Sequence, residues 1–282
     1  KKFKVLGVEP STNVANLAKK LGINTENKFF NISTSKFIKK NYGVPKLIIA
    51  NNVLAHVPNI KLFFKSIDII SSNETIISVE FPSVKNMIKF NQFDTIYHEH
   101  YTYLCLSTIE RVLEEFTLKV FKLEKIPTHG GSLRLWISKK PCKIEESVRK
   151  ERMSEKNEKI FETSQLKEFS NSAKNKRQKF LSFIEETSKK NKKVCAYGAA
   201  AKGISFLNFC GQKAEYISSI YDKNKMKQGC FIPGLFIKIL DPQEVKKQKP
   251  DYIIILPWNL KDEIKNELKF IKSWGGKFIS FD

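Results

Sequence analysis

Tyr97, His98, Glu99, His100, Tyr101 and Tyr103 crowd into one stretch, FDTIYHEHYTYLCL, at residues 93–106 of a 282-residue chain. The chain has four histidines, and this stretch holds two of them. Imidazoles titrate near neutrality and phenols donate hydrogen bonds. The cluster therefore has the parts needed to take a proton from a weak acid and to steady the charge that develops. If the stretch is extended, side chains alternate between faces. His98 and His100 then share one face, and Tyr97, Glu99 and Tyr101 the other. A polar turn with surface histidines is the alternative reading.

The elements before it read as α/β. The opening residues give a buried strand ending in Glu9, then a helix from Thr12 to Leu21. In nucleoside-binding α/β folds an acid at such a strand end accepts hydrogen bonds from ribose hydroxyls, although many ordinary strands also end in Glu. A short strand near Asn27–Phe30 and a helix around Ser35–Asn41 follow, then a buried strand at Lys46–Ala50. That strand runs into Asn51, Asn52 and His56, beyond the carboxyl end where parallel sheets bind ligands. His56 also reads as a helix-end histidine with a structural partner. A helix at Ile60–Ser71 and a strand at Glu74–Glu80 come next. After the histidine stretch, a helix at Ser107–Glu115 leads to a hairpin of Leu118–Ile126 and Ser132–Ser138. His129, Gly130 and Gly131 lie in its turn, where glycine lets the backbone bend tightly. All four histidines thus fall on loops or strand ends near one predicted sheet edge.

From Cys142 to Lys192 glycine vanishes and apolar residues recur at helical spacing, which predicts one or two long amphipathic helices joining two domains. A second α/β domain starts at Lys193. Its strand Val194–Tyr197 leads into Gly198-Ala-Ala-Ala-Lys202-Gly203 and a helix through Phe209. This turn can aim backbone N–H groups at an anion, with Lys202 as a point charge, or it can be a plain tight βα turn. Strands at Ile217–Tyr221, Asp251–Leu256 and Lys277–Phe281 and a helix at Leu260–Trp274 complete the domain.

The formal charge is +21, but nearly all of the excess is lysine spread along the whole chain. A solvated basic surface explains it better than a nucleic-acid stripe. No apolar run reaches membrane-spanning length, and no signal-peptide pattern stands at the start. Five cysteines at 105, 142, 195, 210 and 230 form no CxxC. That points to reduced thiols in a cytoplasm and against a zinc site within this chain.

Six blocks in order, NNVLAHVPN (51–59), residues 93–106, HGGSLR (129–134), YGAAAKG (197–203), KQGCFIPG (227–234) and LPWNLK (256–261), resemble S-adenosylmethionine-dependent sugar 3-C-methyltransferases. These enzymes add a methyl branch to nucleotide-linked keto-deoxysugars. The resemblance implies a zinc-binding N-terminal module, a class I methyltransferase domain and a C-terminal α/β domain. Here the zinc cysteines and the first cofactor-binding βα unit are missing from the sequence, which starts where the family's second methyltransferase strand starts. The expected fold is therefore α/β: a Rossmann-like class I methyltransferase domain truncated at its N-terminus (1–140), a helical linker (141–192) and a second Rossmann-like α/β domain (193–282).

By the same resemblance Glu9 holds the ribose of S-adenosyl-L-methionine, Phe30 and Asn31 lie near the adenine, and Asn51 and Asn52 line the cofactor cleft. His100 is the general base, with Tyr97, Glu99 and His56 around it. His129 and Arg134 approach the sugar or its diphosphate, and Lys202 with Gly198 and Gly203 approaches the diphosphate. The implied partner is a nucleotide-diphosphate keto-sugar, with neither nucleic acid nor membrane, on a cytoplasmic monomer or weak homo-oligomer. No metal is needed, because a sulfonium is already an activated methyl donor. The competing readings are an O- or N-methyltransferase of a small molecule and a nucleotide-sugar binding or oxidoreductase-like protein.

Overall fold

In the computed structural model, which describes residues 3–281, the chain divides into two units. The first is Lys1–Val84 with Glu99–Glu158, and the second is Lys85–His98 with Lys159–Asp282. The first unit opens with β1 (Gly7–Val8), α1 (Thr12–Lys20), β2 (Thr25–Glu26) and α2 (Ile32–Tyr42). It continues through β3 (Leu47–Asn51), α3 (Ile60–Ile70) and β4 (Ile76–Pro82). After α4 (Val84–Lys89) and the segment that groups with the second unit, it resumes with α5 (Leu106–Leu113), β5 (Lys119–Ile126), β6 (Ser132–Ser138) and α6 (Glu146–Asn157).

Strand β4 reads IISVEFP and is buried along nearly its whole length, as a strand paired on both sides must be. Its sheet runs β3-β4-β6-β5, parallel between β3 and β4 and antiparallel elsewhere. Strands β1 and β2 form a separate parallel pair. Helix α3 repeats apolar residues at helical spacing, so Phe63, Phe64 and Ile67 join Ile77, Val79 and Phe81 of β4 in one core. Each such side chain stabilises the unit by about 1.5–3 kcal/mol. Helix α5 is fixed at its start by α6. The Glu155 carboxylate accepts from the Leu106 and Ser107 N–H groups at 2.7 and 2.9 Å, satisfying donors that a helix N-terminus leaves open.

The second unit contains α7 (Thr163–Lys189), β7 (Val194–Tyr197), α8 (Ala201–Cys210), β8 (Ile220–Tyr221) and β9 (Ile239–Leu240), then α9 (Val245–Gln248), β10 (Tyr252–Ile255), α10 (Lys261–Glu267) and β11 (Lys277–Ile279). All five strands are parallel, in the order β11-β10-β7-β8-β9. Counted along the unit, that is the doubly wound order, with its switch point between β7 and β10.

Several expectations shift. The stretch 141–192 is shared out: α6 lies in the first unit, whereas α7 sends Phe180 and Ile184 into the second unit's core beside Val194 and Ala196. The strand expected near Asn27–Phe30 forms at Thr25–Glu26, since Asn31 is already the cap of α2. The helix expected to run to Trp274 ends at Glu267 and gives way to 3-10 turns. Strand β9 was not expected at all. Residues 97–101 are not extended: a turn at His98–Glu99 breaks the alternation of faces. No helix among the described residues is long and apolar enough to cross a membrane.

Candidate active site

In the first unit, the 3-10 turn Leu54–His56 follows β3 and meets the returning chain at Glu99. The Tyr101 N–H donates to the Ala55 carbonyl at 2.8 Å, and the Thr102 hydroxyl to the Leu54 carbonyl at 3.3 Å. His56 Nδ1 lies 3.0 Å from the Glu99 carbonyl. A carbonyl only accepts, so Nδ1 carries the hydrogen and a neutral His56 keeps its lone pair on Nε2. The His56 and His100 rings meet edge to face at 4.9 Å, and His100 meets Tyr103 at 6.1 Å. Two histidines and a phenol from stretches more than forty positions apart thus converge. Tyr103 had no assigned role in the sequence, although it stood in the same aromatic cluster. Glu99 contributes its backbone here, and its side chain is exposed. Tyr97 and His98 belong to the second unit.

Two residues at strand ends offer acceptors. Asn52, just past β3, sits at φ 55 and donates its N–H to the Glu80 carbonyl at 2.8 Å. Its side-chain oxygen is buried and has no hydrogen-bond partner. An unmet buried acceptor costs about 1–3 kcal/mol, which a ligand hydroxyl or amine would recover. Glu9, just past β1, accepts from the Ser11 N–H through Oε1 at 2.7 Å. These acceptors suit the hydroxyls and amino group of a nucleoside, so the residues present fit S-adenosylmethionine. Asn51 is exposed at the end of β3. The other two expected cofactor residues have structural work of their own. Phe30 packs edge-on against Phe63 at 5.4 Å. Asn31 caps α2 by accepting from Thr34 N–H at 2.9 Å and Ser33 Oγ at 2.7 Å.

The sequence reading missed Glu80. Register places Glu80 of β4, Arg134 of β6 and Glu124 of β5 side by side. Arg134 donates from Nε and Nη2 to Glu80 Oε2 at 3.1 and 2.7 Å, and its Nη1 lies 3.5 Å from Glu124 Oε2. Thr128 adds a hydroxyl to Glu80 at 3.3 Å. Lys122 beside Glu124 holds that carboxyl below its usual range. Arg134 is therefore bracketed by two carboxylates, and its cation is engaged within the sheet. A buried-strand acid followed by Phe-Pro was the available signal, because such a carboxylate needs a partner. The hairpin turn has Gly130 and Gly131 at φ 85° and 110°, as a tight bend requires. The side chain of His129 lies outside the described part of the structure.

In the second unit, the glycines after β7 answer to packing. Gly198 has φ 93°, and a Cβ there would stand 2.5 Å from Pro257 Cδ. At Gly203 a Cβ would stand 2.7 Å from Leu256 Cβ. Pro257 thus packs closely on Gly198 beyond the carboxyl ends of β7 and β10, the strands that flank the switch point. Asp222, at the end of β8, accepts from the Ala199 and Asn224 N–H groups, both at 2.8 Å, so it is committed to the loop. Lys227 Nζ donates to the Ala199 carbonyl at 2.7 Å and braces the same loop from the KQGCFIPG block. Lys202, near the start of α8, lies 4.9 Å over the Trp258 ring. Burial pushes its ammonium below the usual lysine range, and the Asp94 charge opposes that shift. Gly198→Ala is expected to cost about 1–3 kcal/mol, through positive φ and the clash with Pro257, read as a lower urea midpoint.

A family model described as the C-methyltransferase C-terminal domain matches residues 127–281. The C-methyltransferase NovU of Streptomyces niveus is 29% identical over 279 residues, covering 98% of this chain and 66% of that protein. The chain thus spans just under two-thirds of the length of that curated relative. Among solved structures, the plantazolicin methyltransferase BpumL, in complexes with triazolic and pentazolic desmethylPZN analogs and SAH, overlaps 49% of this chain and 68% of its own. Identity is 14% in both, with TM-scores of 0.38 and 0.37. With the family match covering more than half of the chain, from the hairpin turn through the whole doubly wound sheet, the chain belongs to the C-methyltransferase family.

Proposed function

We propose that this chain carries the chemistry of an S-adenosylmethionine-dependent C-methyltransferase acting on carbon 3 of a nucleotide-linked 4-keto-deoxysugar. The observation that carries the reading is the His56–His100 ring pair, pinned by the His56 bond to the Glu99 carbonyl. A carbon-bound proton beside a ketone is weakly acidic, so its removal needs a positioned base together with donors for the enolate oxygen. His100 takes that proton on a ring nitrogen. Tyr103 or His56 supplies the donor that steadies the oxygen, and Glu99 meets a sugar hydroxyl or amine. The enolate carbon would then be held in line with the methyl group, whose bond to sulfur breaks as the carbon–carbon bond forms and a neutral thioether leaves, and that fixed geometry would supply several kcal/mol of the barrier. When bound, S-adenosylmethionine supplies that activated methyl on a sulfonium. Glu9, Asn51 and Asn52 would hold it, chiefly through acceptors for the nucleoside. On the second unit, Lys202 and the open N–H groups at the start of α8 are the proposed contacts for the diphosphate, since α8 has no side-chain cap.

Two measurements test this. Calorimetry with S-adenosylmethionine is run on this chain and on a form extended upstream. The keto-sugar nucleotide is incubated with the binding-competent form in deuterated water, and deuterium at carbon 3 is followed. Binding in either form, with exchange at carbon 3, is the expected result. Absence of both in both forms would overturn the reading.

A further inference from the structure

The LPWNLK block has no part in the chemistry above, and Trp258 is its largest residue. Its indole Nε1 donates to Asp94 Oδ2 at 2.9 Å. Asp94 is buried, and a buried carboxylate without a partner is costly, so this bond is a fixture of the fold. The residue before it, Phe93, is partly buried and packs against the second unit's core, with Phe206 at 6.0 Å and Phe209 at 5.5 Å. Lys176 lies 5.9 Å over the Phe93 ring from α7. Residues 85–98 therefore leave the first unit after Val84, are gripped by the second, and return at Glu99. The grip sits immediately before Tyr97, His98 and His100 in the chain.

We infer that Trp258 and Asp94 are positioning residues for the tyrosine–histidine stretch: the indole–carboxylate bond, with Phe93 seated between Phe206 and Phe209, fixes the backbone that leads into Tyr97, His98 and His100. The inference rests on the proposed function only in naming His100 as the base. It explains a tryptophan where any apolar residue would pack. Phenylalanine at 258 keeps an aromatic ring but loses the donor and part of the indole's volume, so the Asp94 variants isolate the hydrogen bond.

The test uses histidine ring resonances, which four single replacements assign in this chain. Trp258→Phe and Asp94→Ala are expected to move or broaden the His98 and His100 signals. Asp94→Asn keeps an acceptor oxygen and is expected to stay close to wild type. In methyl transfer, Trp258→Phe is expected to lower kcat about 10-fold, within what a misplacement of about 1 Å can cost, with cofactor Kd unchanged. A general loss of stability would instead lower the melting temperature and disturb all four histidines alike. Unmoved His98 and His100 signals in a folded Trp258→Phe protein would overturn the inference. If that variant does not fold, the Asp94 pair decides: spectra of Asp94→Ala and Asp94→Asn that coincide would overturn it equally. The spectra report the stretch's geometry whether or not methyl transfer is seen, so this inference and the proposed function fail separately.

Discussion

His100→Ala is expected to lower methyl transfer by about 10²–10⁴-fold, the range a positioned general base contributes. The variant should still bind S-adenosylmethionine, because no proposed cofactor contact involves His100. It should also fold, since the His100 ring is only half-buried and meets its neighbours edge to face. Deuterium exchange at carbon 3 separates the chemistry from the rest, because it reports proton removal without any methyl donor. Loss of exchange together with loss of transfer places His100 at the proton. Exchange retained while transfer is lost would move the base elsewhere and leave His100 with a role in alignment. Full activity would remove the histidine from the mechanism.

Arg134→Ala is expected to destabilise the first unit by about 3–5 kcal/mol, because it strands a buried carboxylate. Glu80 has a side chain only 5% exposed, and the Arg134 fork is its cationic partner at 2.7 Å. Lysine at 134 keeps the charge but cannot reproduce the fork, so Arg134→Lys should fall between wild type and alanine. Adding Glu80→Gln to Arg134→Ala should recover part of the loss by removing the stranded charge. Urea midpoints read all of these. An alanine variant within about 1 kcal/mol of wild type would mean that Glu80 finds water or another donor, and that the three-strand bracket contributes little.

How much of this was legible in the sequence depends on the range of the signal. Ser132–Ser138 was read to the residue, because β6 is paired on both sides and its apolar alternation is continuous. Helix α3 was read within a residue for the same kind of reason, a strong helical period ending at a polar pair. Strand β9 was invisible, since two residues of pairing leave no period to detect. The turn at His98–Glu99 agrees with the alternative reading of that stretch as a polar turn, although neither glycine nor proline announces where it falls. The convergence of His56 with His100 could be suspected from strand ends, but its geometry could not. Glu80 with Arg134, and Asp94 with Trp258, are partnerships across long stretches of chain, and one sequence carries no pattern that joins them. Gly198 and Gly203 show the opposite limit. Phosphate loops and closely packed turns use glycine alike, and only the 2.5 Å and 2.7 Å approaches to Pro257 and Leu256 reveal the packing demand here.

The excursion of residues 85–98 also bears on inheritance. A gene cut after residue 158 would deliver a doubly wound sheet that lacks Phe93 among its aromatic neighbours and leaves the Trp258 indole without its carboxylate. The two halves are therefore poor candidates for exchange as separate cassettes. Recombination that swaps the distal half between relatives must carry the fourteen-residue segment 85–98 with it or accept a mismatched core.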